Sequence, residues 1–152
     1  MKNKILLIGI FSFFMTACGG AQVDSMTIKQ NSGPLPPEFY TESVMIIIPD
    51  YEANTLNVSF NLKYPYNEKS EAVKKKLLIE DGEIFDLFND VGVFAQKPFK
   101  TEDDGCVGGH NYETEVEVDG KFFENSYYVC GQNAKVKKLD DFYLMLEAKS
   151  RE

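Results

Sequence analysis

The chain has 152 residues, 43% hydrophobic and 26% charged, with eleven Gly, three Cys, one His and no Trp. This is globular composition, and it excludes a collagen-like, fully disordered, coiled-coil or polytopic membrane chain. The formal net charge is −8; setting aside Lys2 and Lys4 of the acid-free first 17 residues leaves 14 bases against 24 acids, a net of −10, which argues against a nucleic-acid backbone as partner.

Residues 1–17 read as an export signal. Two Lys precede the apolar run Ile5-Leu6-Leu7-Ile8-Gly9-Ile10-Phe11, which continues through Met15 and ends in the small residues Thr16 and Ala17. The run is too short to span a bilayer. The string Met15-Thr16-Ala17-Cys18 resembles the lipobox of bacterial lipoproteins, with Met15 in the slot that usually holds Leu. The resemblance implies that Cys18 receives a diacylglyceryl group, that the signal is cut before it, and that the new amine is acylated by a palmitate-like chain. Several acyl chains anchor a protein far more firmly than one. Gly19 is not the Asp that retains lipoproteins at an inner membrane, so the expected address is the inner leaflet of an outer membrane, facing the periplasm. Residues 18–22 form a short tether, and at about 3.5 Å per residue it holds residues 23–152, read as one domain, within roughly 20 Å of the lipid.

Within that domain, residues 23–30 alternate through Met26 and Ile28 as a half-buried strand does. Residues 31–37 break the pattern with Pro34, Pro36 and Pro37. Pro34-Leu35-Pro36-Pro37-Glu38-Phe39-Tyr40 is a stiff loop, suited either to blocking a sheet edge or to entering a partner's groove. The β-branched run over residues 43–49 predicts a central strand covered on both faces. Residues 55–64 place Leu56, Val58, Phe60, Leu62 and Tyr64 on one face, the clearest strand pattern in the chain.

Residues 74–79 admit two readings, a helix continuing from Ser70 or a short strand ending at Asp81-Gly82. Ile84, Leu87, Phe88 and Val91 then fall at i, i+3, i+4 and i+7, an amphipathic helix that Gly92 is expected to end. Asp119-Gly120 between residues 112–118 and 121–130 signals a two-residue hairpin, because both turn positions need positive φ. Pairing Val118 with Lys121 sets Val116 opposite Phe123, Tyr112 opposite Tyr127 and Glu115 opposite Glu124. Val136, Leu139, Phe142, Tyr143 and Leu146 predict a final helix, with Lys149 near its end. Together these elements give an α+β fold, a mainly antiparallel sheet of about five to six strands with about two helices on one face.

Cys106 and Cys130 are the remaining thiols of a chain expected in an oxidising compartment, so they are expected to pair, closing about 25 residues for roughly 3 to 4 kcal/mol. Catalysis by Cys106 with His110 as base is the competing use of that sulfur. Cys130 contests it, and no nucleophile-elbow, zinc-spacing, phosphate-loop or Ser-His-Asp signature is present, so no catalytic residue, cofactor or metal ligand is assigned. His110 with Glu102, Asp103 and Asp104 is the one grouping weighed as a metal site, since hard cations take carboxylate oxygens from loops.

The hairpin's two faces differ. Val116, Val118, Phe123, Tyr127 and Val129 form an apolar face; Glu113, Glu115, Glu117 and Glu124 form the other, interleaved with Phe122 and Tyr128. The second face is either a solvated surface or a docking stripe for a basic protein partner. The expected function is a non-catalytic, membrane-anchored binding domain, with inhibition of a cationic hydrolase (lysozyme or protease) its most concrete form and a structural or assembly role in an envelope complex as the alternative. Small lipoprotein inhibitors of lysozyme are similar in anchor and β-rich body, although Asn125-Ser126-Tyr127-Tyr128 does not supply their Ser-Gly-x-x-Tyr stretch. The order of elements is also similar to that of emfourin-type metalloprotease inhibitors, a likeness of layout from which no residue is carried over.

Overall fold

The computed structural model describes residues 22–32, 36, 39–66, 72–98, 109–129 and 134–152, with side chains of the last segment from Val136 onward. The expected export signal, Cys18, the expected Cys106–Cys130 pairing, the acids at 102–104 and most of the proline-rich loop lie outside the described residues.

Among the described residues six strands form one sheet: β1 (Val23–Ser32), β2 (Glu42–Asp50), β3 (Thr55–Lys63), β4 (Val73–Ile79), β5 (His110–Val118) and β6 (Lys121–Val129), in the order β4-β3-β2-β1-β5-β6. Every pairing is antiparallel. The first four strands run as a meander, and β5 enters on the free side of β1 after helix α1 (Gly82–Ala95). Helix α2 (Ala134–Arg151) follows β6. The architecture is α+β, as the element pattern predicts.

One sheet face and the apolar stripes of both helices share a single core. Met26, Ile28, Met45, Ile47, Val58 and Phe60 meet Ile84, Phe88, Val91, Leu139, Phe142 and Leu146 there. All five residues that mark the final helix in the sequence are buried. Burial of a large aliphatic or aromatic side chain contributes about 1.5–3 kcal/mol, so this layer dominates stability. Phe88 and Phe142 join the two helices, with ring centroids 6.2 Å apart.

Helix α1 begins where the sequence places it. The Asp81 carboxylate accepts hydrogen bonds from the Glu83 and Ile84 amides at 3.0 and 3.3 Å, satisfying two of the open donors of the first turn. It does not end at Gly92, as the periodicity predicts, but at Ala95. Gly92 is buried where the helix crosses β1, and a Cβ on it would run into Val23 Cγ2. Close approach, rather than termination, requires the glycine. The Asn125 Nδ2 of β6 donates to the Ala95 carbonyl and so satisfies one orphan acceptor at the helix end.

Residues 74–79 resolve as strand β4. Its inward positions include Leu77 and Ile79, paired with Val58 and Leu56, while Lys74, Lys76 and Leu78 point outward. The β2 run is not covered on both faces. Ser43, Met45 and Ile47 are buried, but Ile46 and Ile48 are 45% and 52% exposed, because both helices lie on the other side of the sheet.

The polar end of the core ties α2 to the sheet. Ser43 Oγ lies 2.6 Å from the Tyr143 hydroxyl, and the Tyr112 hydroxyl donates to Asp140 at 2.6 Å. The two rings pack edge to face at 5.3 Å. Burial pushes the Tyr143 hydroxyl up to about 12, although the Ser43 bond acts in the opposite direction. Burial, and then the bond to Asp140, raise Tyr112 as well.

Candidate partner-binding face

The β5–β6 turn aligns the acidic residues. Asp119 and Gly120 have φ of 51° and 71°, the double positive of a type I′ turn, and Val118 pairs with Lys121. Counting back from that turn, Glu117 stands opposite Phe122, Glu115 opposite Glu124, Glu113 opposite Ser126 and Asn111 opposite Tyr128. The register predicted from the dipeptide is the register observed. All six candidate residues, Glu113, Glu115, Glu117, Glu124, Phe122 and Tyr128, therefore share the sheet face that no described element covers.

Strand β1 supplies their other neighbours. Lys29 stands beside Glu113, Thr27 beside Glu115, and Ser25 beside Glu117. Ser25 Oγ donates to Glu117 Oε2 at 3.1 Å, and Glu117 is half-buried. Glu115 and Glu124 are exposed and face each other directly, an arrangement that costs stability through like-charge repulsion. Among the described residues no ion pair reaches any of the four glutamates. Thr27, Lys29, Glu113, Glu115, Glu124 and Ser126 line a shallow groove of about 390 Å³. Phe122, 61% exposed, stands at the turn end of the stripe.

The opposite hairpin face is core. Val116, Val118 and Tyr127 are buried and Phe123 and Val129 half-buried. Alternation with period two thus separates apolar from acidic residues along both strands.

Sequence reasoning missed the other half of this open face. Val44, Ile46, Ser59, Asn61, Lys74 and Lys76 line a second shallow groove of about 530 Å³ across β2, β3 and β4. The signal for it was Asn57, Ser59 and Asn61, the outward positions of the best-patterned strand, which are too polar to lie beneath a helix.

His110 opens β5 opposite Ser32, exposed, with its Nδ1 2.8 Å from Gln30 Nε2. Its proposed companions Cys106, Glu102, Asp103 and Asp104 lie outside the described residues, and among the described residues no cluster of His, Cys, Asp and Glu could hold a metal. Phe39 of the proline-rich loop is 64% exposed, its amide bonded to the Pro36 carbonyl at 2.9 Å. No described helix is long and apolar enough to cross a membrane. Compared with known proteins, the chain matches no family model and no curated sequence.

Proposed function

We propose that the chain is an acyl-anchored envelope protein whose domain is a non-catalytic binding module, holding a basic protein close to the membrane through the acidic face of β5 and β6. The observation that carries this reading is the placement of four glutamates and two aromatics on one face that no described element covers, with Glu115 set against Glu124 and no described cation paired to either. A sheet keeps repulsive neighbours at a cost, and a cationic partner reverses that cost into attraction. Phe122 and Tyr128 supply the apolar part of such a contact, since aromatics are enriched where partners meet.

The address rests on Met15-Thr16-Ala17-Cys18 and on the short chain between Cys18 and Val23, where β1 begins. Acyl chains on Cys18 hold the domain at an outer membrane's inner leaflet, in the periplasm, with Cys106 and Cys130 joined. The most concrete partner is a cationic hydrolase, a lysozyme or an exported protease, whose activity falls when it is bound.

The test is capture by the full chain in detergent. We expect recovery of a basic hydrolase that loses activity as the protein is added, and loss of capture when Glu113, Glu115, Glu117 and Glu124 are all replaced by Gln. Undiminished capture by the Gln variant removes the stripe. Recovery of envelope-assembly components with no effect on hydrolase activity replaces inhibition with an assembly role.

A further inference from the structure

The open face is graded by charge from one edge to the other. Ladder partners place Lys76, Ser59, Ile46, Thr27, Glu115 and Glu124 on one line across the six strands. The next line runs through Lys74, Asn61, Val44, Lys29, Glu113 and Ser126. Each is basic at β4, branched and apolar at β2, and acidic at β5 or β6, and on the second line Lys29 of β1 adds a base beside Glu113. Lys74, Lys76, Glu115 and Glu124 are exposed and make no ion pair among the described residues.

The midpoint of the order β4-β3-β2-β1-β5-β6 falls between β2 and β1. A two-fold axis lying over that midpoint, parallel to the strands, sets β4 of one copy on β6 of another, β3 on β5, and β2 on β1. Lys76 then meets Glu124 of the second copy, and each apolar groove of β2–β4 covers the polar groove of β1, β5 and β6 in its mate. One line closer to the Val23 end, Leu78, 58% exposed, meets Phe122, 61% exposed. An axis across the strands would instead stack lysine on lysine and glutamate on glutamate. We infer that the occupant of this face is a second copy of the same chain, in a face-to-face, two-fold dimer whose register is set by Lys76 against Glu124.

Three further features fit. Ile46 and Val44 lie centrally on β2, while the lysines of β4 and the glutamates of β5 and β6 lie to either side, with Lys29 on β1 the one charge of these two lines next to the centre; this is close to the apolar centre and polar rim of a specific interface. Six strands about 4.8 Å apart and some 23 Å long offer roughly 700 Å² per copy, close to the ~800 Å² of a standard interface. The strand-parallel axis also leaves Val23 of both copies at the same end, so that, with the anchor proposed above, both tethers enter one membrane; the crosswise axis would point them apart. The dimer covers the glutamates assigned to capture, so a basic partner has to displace the second copy, and the dimer is the stored form.

Sedimentation of the full chain in density-matched detergent tests this. We expect a dimer for the wild type. Lys76→Glu alone or Glu124→Lys alone should raise the dissociation constant at least about tenfold by setting like charges together. Mixing the two variants should restore dimers, because each altered edge then meets its complement. Co-residence in one micelle would not respond to the exchange, and circular dichroism checks that both variants fold. A monomeric wild type, or a dimer indifferent to both substitutions, overturns the inference. A monomer that still captures a basic protein through the glutamates overturns it while leaving the capture reading intact.

Discussion

At Gly92 the helix and the sheet approach so closely that the side chain of Val23 occupies the place of a Cβ. Val23 is 2% exposed and β-branched, with little room to rotate away. An alanine inside a helix ordinarily gains up to about 1 kcal/mol over glycine. Here Gly92→Ala is expected to destabilise by about 1–3 kcal/mol through overpacking, measured by denaturant unfolding. Tyr143 gives a second test. Its hydroxyl ionises at about 12 in the folded protein against an ordinary 10.0 in the unfolded chain. Its contribution is thus complete below pH 10 and drains away as pH rises toward and through 12, because the unfolded state ionises first. The melting temperature should fall over that window, and Tyr143→Phe should flatten the fall. At neutral pH the same substitution leaves the buried Ser43 hydroxyl without its partner and costs about 1 kcal/mol.

Single elements show what the sequence makes legible. β3 and the hairpin read cleanly because one face is buried and the other wet, which prints period two onto the residues, and Asp119-Gly120 fixes the pairing register. β4 resisted assignment because it is an edge strand, where Lys74, Lys75 and Lys76 reach solvent and blur the alternation. β2 reads as doubly covered because Ile46 and Ile48 face outward, so an exposed apolar strip and a buried strand carry the same letters. The acidic stripe was visible from hairpin register alone; its basic counterpart was not, since it depends on β4 joining β3, a pairing that no short-range signal specifies. At this scale, Asp81→Ala should cost about 1 kcal/mol by stripping the α1 cap. Glu115→Gln should raise stability by about 0.2–1 kcal/mol by relieving the pair with Glu124, as chemical denaturation would show.

For the whole molecule, the division of labour is between sheet faces. One face, with both helices, holds the core and the buried tyrosines; the other is left for contact and graded in charge. Stability of the single copy and binding are therefore separable, and in protein dilute enough to be monomeric, replacing the four glutamates should abolish capture without lowering the melting temperature. Whether the four glutamates form the binding face is read out by carboxylate footprinting of the dilute full chain, alone and with the captured basic partner. We expect protection confined to Glu113, Glu115, Glu117 and Glu124, with Glu83, Asp86 and Asp141 on the helices labelled equally in both states. Protection of the helix carboxylates, with the four glutamates unchanged, would contradict it.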